Sequence, residues 1–426
     1  MSAMSADPPP KLALNNPNPA RRYGLGFWAV AFAFTALMAF TTVPTPLWSL
    51  FARRDGFSSL TITVAFAVYA VAVAISLVLA GHLSDVYGRR RLLVPALALN
   101  VVAGLVFVAW PALPGLLVAR VLSGLGIGAA TATATVWLAE LEARRCPRAG
   151  SHRAQIISTA ANLGGLGLGG LIAGVLAQWV GHALTIPFLA LVGALLIGLV
   201  AIALAPETRM TASPRPRYRA QRVSVPAQSR SRFFGAATAV GITFAVFGLI
   251  TSLAPSFLAE TLNEPSHALA GAVSFALFGT AALAQTLTGS RSPQQLLAAA
   301  IPSLLVGIGL LTLAVWVPSP SFGIFLAGDL IAGVGAGLMF KGAIETVTEI
   351  SLPERRAEAV AGFFLAAYLG LAGPVIGLGV LTQIASTRVS LLVFSGLLAF
   401  GIFAATPALL GGRGHRTSTD PQPLTQ

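Results

Sequence analysis

The sequence predicts an all-α polytopic membrane protein with twelve transmembrane helices arranged as two related six-helix bundles. The prediction rests on composition, on the spacing of apolar segments and on an internal repeat. Of the 426 residues, 55% are hydrophobic and 10% are charged, whereas soluble globular domains carry roughly 25% charged residues. Polar residues are too few to cover a water-soluble protein of this length, so the outer surface must face lipid.

Segments that are long enough and apolar enough to cross a bilayer recur along the chain. A spanning helix needs about 20 mostly apolar residues. Called spans 1 to 12, these segments are predicted near residues 24–50, 59–81, 92–110, 113–138, 155–180, 184–205, 233–258, 268–289, 295–317, 321–343, 358–383 and 388–410. The first is too long for a signal-peptide core and is interpreted as a retained span.

These boundaries divide the chain into five parts. The expected parts are an N-terminal tail at 1–23, a first bundle at 24–206, a linker at 207–232, a second bundle at 233–410 and a C-terminal tail at 411–426. The linker contains seven arginines and no lysine. We interpret it as a solvated segment that lies against anionic lipid headgroups, in preference to a binding site.

Loop charges predict the orientation of the chain in the membrane. With both termini in the cytoplasm, 22 of the 27 basic residues lie on the cytoplasmic side, as the positive-inside rule requires. Three (Arg53, Arg54 and Arg388) lie outside, and two (Arg120 and Lys341) lie within spans. No basic stripe interleaved with aromatic residues occurs, so nucleic acid is not an expected partner. The excess of arginine over lysine, beside abundant Ala, Gly and Pro, suggests a GC-rich bacterial genome and hence the cytoplasmic membrane of a cell.

The two halves repeat each other at a constant offset of 209 residues. Matching pairs at this offset are Thr42 with Thr251, Pro46 with Pro255, Glu140 with Glu349, and the three glycines from Gly124 to Gly128 with those from Gly333 to Gly337. One offset that relates spans 1 and 7 as well as spans 4 and 10 indicates duplication. Parallel repeats are one architecture of secondary transporters, with the substrate site between the halves near mid-membrane.

The loop after span 2 reads Gly-His-Leu-Ser-Asp-Val-Tyr-Gly-Arg-Arg-Arg from Gly81 to Arg91. It resembles the signature loop of the major facilitator superfamily and departs from it at Val86, where many members carry a basic residue. Further similarities to that family lie at Arg120–Gly124, Gly165–Gly170, Gly373-Pro374 and Pro206-Glu207-Thr208. The resemblance covers about residues 24–410 and implies a twelve-span, drug/proton-antiporter-like transporter that works by alternating access.

The signature loop carries the candidate gating residues. Arg89 and Arg90 are expected to pair with an acid on a neighbouring helix end, for which Glu140 is the candidate. Such a cluster would hold the cytoplasmic side shut in one state and break in the other; the alternative is a turn that anchors positive charge inside. The loop also contains Gly81, Asp85 and Gly88. Because an anchor of positive charge does not need residues at this spacing, the gate is favoured.

Glycines in spans 5 and 11 are candidates for helix packing or for a gating bend. The residues concerned are Gly165, Gly169, Gly170, Gly373 and Pro374. Small residues let helices approach closely in lipid, so packing and bending both remain open. The glycine run of span 5 resembles an antiporter motif of the major facilitator superfamily, but Leu166 replaces the proline of the motif. This difference weakens an argument for antiport from the run.

Four ionisable residues lie within predicted spans, where charge is costly and indicates function. Arg120 and Asp329 coincide at the repeat offset and are expected to pair across the cavity when its outer mouth closes, unless each has a local partner. Asp329 is the first candidate for a proton carrier and Glu345 the second. Lys341 lies four residues before Glu345 on one helix face, where the two charges either neutralise each other or serve the cavity.

Uncharged polar residues are candidates to line the solute cavity, namely Thr42, Tyr69, Asn162, Thr251, Gln285 and Tyr368. A cavity with few polar groups suits a hydrophobic or amphipathic organic solute. The leading hypothesis is proton-coupled efflux of such compounds. Span 1 holds no acid, unlike many drug/proton antiporters of the resembling family, which argues against this coupling.

The sequence is compatible with two other functions. The first is an importer or facilitator of a small metabolite on the same fold. The second is a membrane-embedded transferase, which is disfavoured because no His/Asp or metal-ligand cluster is visible in the sequence. One cysteine and five scattered histidines predict no metal site. We therefore expect no enzyme activity, no cofactor beyond a proton gradient, and a monomer whose partners are a small solute and the bilayer.

The orientation can be tested by thiol labelling. In a variant with Cys146 replaced, Ser224→Cys in the linker should resist a membrane-impermeant thiol reagent in intact cells and react after permeabilisation. Arg388→Cys, expected outside, serves as the control and should react in intact cells. Labelling of the linker cysteine in intact cells would contradict the predicted orientation.

Overall fold

A computed structural model of the chain describes residues 19–80, 83–147, 152–209, 229–261, 264–352 and 355–410. All regular structure in these residues is helical, and twelve of the helices are long and apolar enough to cross a membrane. In chain order, spans 1 to 12 are Pro19–Thr42, Ser59–Ala80, Arg89–Ala109, Leu113–Arg145, His152–Trp179, Ile186–Leu204, Arg230–Glu260, His267–Leu287, Pro293–Trp316, Phe322–Ile350, Arg356–Ile384 and Thr387–Leu410.

Span 1 ends earlier than expected. The helix stops at Thr42, before the expected end near residue 50, because Pro44 and Pro46 follow and proline cannot donate a backbone hydrogen bond. A separate short helix, Trp48–Asp55, then begins. Its side chains Trp48 and Phe51 are buried against the first half, which places this helix at the end of the bundle opposite the chain termini.

Spans 4 and 10 both continue about seven residues beyond their predicted ends, to Arg145 and Ile350. Their last two turns contain charged residues that hydropathy excludes from a span. Glutamate, arginine and lysine nevertheless have high helix propensity, so the helices project past the apolar region. The matching extensions agree with the sequence repeat.

Span 5 is not a uniform α-helix. An α-helical segment, His152–Thr159, is followed by a π-helical turn, Ala160–Gly164, and then by the α-helix Gly165–Trp179. A π turn inserts an extra residue and changes the face on which the following side chains lie. This turn sits about midway along the span.

The two halves have separate apolar cores and meet along two helix pairs. One core is built from spans 1 to 6 and the other mainly from spans 7 to 12. Between the halves, span 2 packs against span 11, and span 5 packs against span 8. Spans 4 and 10 line the space between these pairs.

Candidate functional site

A cavity lies between the two halves. Its volume is about 400 Å³, within the range of small-molecule sites. Its lining extends from mid-membrane toward the ends of the spans where Arg89, Arg153 and Arg356 lie, which we call the basic side. All six residues expected from the sequence to face the cavity do line it: Thr42, Tyr69, Asn162, Thr251, Gln285 and Tyr368.

On the opposite side, the halves are in direct contact through spans 5 and 8. A β-carbon at Gly174 of span 5 would overlap the carbonyl oxygen of His267, and one at Gly271 of span 8 would overlap that of Gly170. The Gln178 side-chain oxygen accepts a hydrogen bond from the His267 backbone N–H at 2.9 Å. One half therefore caps the N-terminus of a helix in the other.

Spans 2 and 11 form the second contact across the halves. A β-carbon at Gly379 would overlap the hydroxyl oxygen of Thr63, so span 11 approaches span 2 as closely as glycine allows. Both contacts lie at the ends of the spans far from the basic side. The structure thus has the cavity closed on the opposite side and directed toward the basic side.

The span-5 glycines serve helix packing. Gly165 and Gly169 face span 1, where a β-carbon at Gly169 would overlap the Ala39 carbonyl, and Gly170 faces span 8. The Thr42 hydroxyl also donates to the carbonyl of Leu166 at 2.6 Å. Span 5 is therefore held between span 1 of its own half and span 8 of the other.

The corresponding expectation for span 11 needs correction. Among the described residues, no atom of another helix lies within 4 Å of a β-carbon at Gly373, so close packing does not require glycine there. Pro374 borders a separate groove on the outer surface of spans 7, 11 and 12. Close packing in span 11 is instead made by Gly370, against Gly241, and by Gly379. Helix packing and a gating bend were both expected for Gly373-Pro374, and the bend alone remains a prediction.

On the basic side, the signature-loop arginines lie in a cluster within the first half. Arg89 Nη2 is 2.8 Å from Glu140 Oε1, and its Nη1 donates to the Ser84 hydroxyl at 2.7 Å. Arg90 does not reach Glu140 and donates instead to the Ala203 carbonyl at 3.1 Å. Gly81 and the side chain of Asp85 lie outside the described residues.

The Arg89–Glu140 pair is intact while the cavity is directed toward this same side. The expectation that it breaks when this side opens is therefore wrong for this pair. The reason is that both residues belong to the first half, so their contact does not depend on the distance between the halves.

Glu207 has a role that was not predicted from the sequence. Its carboxylate accepts backbone N–H hydrogen bonds from Arg89 at 3.1 Å and Arg90 at 2.9 Å, at the first turn of span 3, and from Thr208 and Arg209. A carboxylate is favourable at a helix N-terminus. Gly88 has φ of 98°, and a β-carbon there would lie 2.9 Å from Glu207 Oε2. The Pro-Glu-Thr ending of span 6 was the available signal.

Arg120 is 1% exposed and lies in a pocket of the first half. Its Nη1 donates to the Thr41 carbonyl at 3.0 Å, and its guanidinium carbon lies 5.2 Å from the Trp48 ring centroid and 5.4 Å from that of Tyr69. Aromatic faces attract a guanidinium by cation–π interaction. The charge is thereby partly compensated without an acid.

Asp329 is fully buried, and neither carboxylate oxygen has a hydrogen-bond partner among the described residues. The expected pairing with Arg120 is absent although the opposite side is closed. Closure there joins spans 5 and 8 and spans 2 and 11, not spans 4 and 10. Neither residue belongs to the cavity lining.

Lys341 holds the end of span 8. Its ammonium nitrogen donates to the carbonyls of Gln285 at 3.0 Å and Gly289 at 2.7 Å, and to the Thr288 hydroxyl at 3.3 Å. A cation is favourable at a helix C-terminus. Lys341 therefore bonds to span 8, and no direct ion pair joins it to Glu345.

These features are typical of a multi-pass membrane transporter with a cavity between two six-span bundles. The family model for the Major Facilitator Superfamily matches residues 28–316, and the chain belongs to that family. A comparison with curated protein sequences finds no match. Among solved structures, a crystal structure of a mutant of the nucleoside transporter NupG is similar with TM-score 0.68 and 12% identity, covering 90% of this chain and 99% of that one.

Glu207→Gln tests the cap on span 3. Removing the charge should lower the thermal unfolding midpoint of the purified protein, because a carboxylate at a helix N-terminus contributes about 0.3–2 kcal/mol. The matched control is Glu358→Gln, which changes an acid in the first turn of span 11 that has no hydrogen bond in the described structure. Equal effects of the two substitutions would contradict the assigned cap.

Gly174→Leu tests closure on the opposite side. The added side chain should hold spans 5 and 8 apart, lengthen the distance between spin labels at positions 53 and 388, and slow transport by about tenfold or more, the factor for about 1.4 kcal/mol. The control is Gly193→Leu, at a position where a β-carbon meets no atom within 4 Å. Unchanged label distances in Gly174→Leu would show that this contact does not close the site.

Proposed function

We propose that the protein is a secondary active transporter that couples proton movement to the efflux of a small, uncharged amphipathic organic solute. The observation that carries the proposal is the cavity lining. Aromatic and aliphatic side chains form most of it, hydroxyl and amide groups are scattered among them, and no Asp, Glu, Lys, Arg or His occurs among the described lining residues. Such a lining favours a solute that carries no net charge.

Transport would proceed by rocking the two halves around this cavity. The described conformation is closed on one side by spans 5 and 8 and spans 2 and 11. In repeat-built transporters, alternating access is largely a rigid-body movement of one repeat against the other. In the predicted orientation, with termini and linker in the cytoplasm of the cell, this conformation faces inward. The transporter is proposed to act as a monomer in the cytoplasmic membrane.

Asp329 is the proposed proton carrier. A buried carboxylate without hydrogen-bond partners is costly when ionised, so this environment favours the neutral acid. In the alternate conformation, contact with water or a cation would permit ionisation. Glu345 is the second candidate because it is half-buried in the same span.

The direction of transport is a separate part of the proposal. Export is proposed because the chain resembles drug/proton antiporters in its signature loop and in Gly373-Pro374 of span 11, although Leu166 replaces the proline of the span-5 motif. The alternative is uptake or facilitated diffusion of a small metabolite. The uncharged, aromatic lining would accommodate a nucleoside, the solute class named for the structurally similar transporter.

The deciding experiment uses purified protein in liposomes with an imposed pH gradient of either sign. A panel of neutral drugs and nucleosides is tested for accumulation against its own gradient. Proton-driven export predicts solute movement opposite to the proton flow, whereas symport predicts movement with it. Equilibration without dependence on pH would indicate a facilitator.

Asp329→Asn separates the proton step from solute movement. The substitution keeps the side-chain volume and removes the ionisable group, so uphill accumulation should fall by about tenfold or more, while solute exchange without a pH gradient continues. Glu345→Gln is the matched comparison and should retain uphill accumulation. The assignment fails if Asp329→Asn still accumulates solute at the original rate.

A further inference from the structure

Some polar side chains on the cavity wall form hydrogen bonds within the protein, and others do not. Several hydroxyls donate to their own surroundings: Thr42 to the Leu166 carbonyl, Thr131 to the Ile127 carbonyl and Ser158 to the Thr135 hydroxyl. Others make no hydrogen bond from their side chains in the described structure: Thr159, Asn162, Gln285 and Tyr368. Among these, Asn162 lies on the π-helical turn of span 5.

Asn162 faces the cavity together with its neighbours on the same face of span 5. Thr159, three residues before it, and Leu166, four residues after it, also line the cavity. The backbone N–H of Gly165 is shared between the carbonyls of Ala161 and Asn162. Single π turns inside α-helices often occur at functional sites.

The second half provides an aromatic wall to the same cavity. Phe244 lies 5.4 Å from Tyr368 and 6.2 Å from Phe340, measured between ring centroids, and Phe340 lies 6.1 Å from Phe364. All four rings line the cavity. Aromatic pairs at such separations contribute favourable free energy in addition to that from buried apolar area. A flat aromatic ring of a solute could therefore pack against several rings of this wall.

We propose that Asn162 selects the solute: a neutral, flat ring that carries a hydrogen-bond donor beside an acceptor, as in a lactam or carboxamide edge. This rests on the proposed function and names its substrate class. A primary amide offers one acceptor and two donors, which pairs with such an edge in two hydrogen bonds. The ring lies against the Phe244, Phe340, Phe364 and Tyr368 wall, while the uncharged lining disfavours ionised solutes.

Binding to protein in lipid nanodiscs tests the inference without any gradient. The probes are 2-quinolone and 1-isoquinolone, each compared with its N-methyl derivative, which lacks the donor, and with quinoline-2-carboxylate, which is charged. Wild-type protein should bind each lactam about tenfold tighter than its N-methyl derivative, the factor for one lost hydrogen bond of about 1.4 kcal/mol. The carboxylate should bind more weakly than either lactam.

Asn162→Leu should bring each pair of dissociation constants within about twofold, because the amide is lost while the apolar wall remains. Asn162→Ser, a smaller change, should lower the ratio and serves if the leucine variant does not fold. Ser303→Ala is the control and should leave the ratio unchanged, since Ser303 lies on span 9 outside the cavity lining and its hydroxyl donates to the Ala299 carbonyl.

Three outcomes overturn the inference: an unchanged ratio in both Asn162 variants, tighter binding of the carboxylate, or no lactam binding to wild-type protein. Each can occur while proton-driven transport of another solute is found in liposomes, so the proposed function would stand. Conversely, selective lactam binding without any pH-dependent transport would support the inference and remove the proton coupling.

Discussion

The closed side of the protein depends on how closely helix backbones can approach each other. Helices in lipid gain no hydrophobic driving force from association, because lipid tails are as apolar as the side chains, so packing must come from close van der Waals contact. Gly174 against His267 and Gly379 against Thr63 provide that contact between the halves. The cavity follows from it: joining two helix pairs at one end leaves space between the halves at the other.

The number of spans and their pairing by a repeat could be predicted because lipid imposes length and apolarity on every span. Cavity residues such as Thr251 and Tyr368 were predictable since polar side chains in a span must avoid lipid. The π turn was not, because hydrophobic periodicity does not report one inserted residue. The end of span 1 was misplaced because Pro44 and Pro46 lie in an apolar run.

Arg120 and Asp329 hold equivalent positions in the sequence repeat but do not pair in the structure. An offset in sequence relates equivalent positions in two halves, but equivalent positions touch only when they lie near the axis that relates the halves. Spans 4 and 10 both contribute residues to the cavity lining, one span from each half, and Arg120 and Asp329 form no ion pair. Arg120 instead lies against Trp48 and Tyr69 of its own half.

The two halves differ in their charged residues at equivalent positions. The first uses Arg89, Glu140 and Glu207 to join the turn after span 2 to spans 4 and 6. In the second, Lys341 donates to backbone carbonyls and a hydroxyl at the turn after span 8. The intramembrane charges also differ. Arg120 has a carbonyl and aromatic faces for its cation, whereas Asp329 has no hydrogen-bond partner among the described residues. A permanent cation suits the first environment, and a group that can become neutral suits the second.

This asymmetry bears on how the proposed coupling would work. Asp329 does not belong to the cavity lining. It lies on span 10, however, and Phe340 and Ile344, which are closer to the basic side on the same span, do line the cavity. A proton there and a solute in the cavity would not touch each other. Each could influence the other only through an equilibrium between conformations that both bias, and such coupling is reciprocal by thermodynamic necessity. Rigid spans suit this requirement, because a shift that exposes or pairs Asp329 must move the cavity wall carried by the same helix.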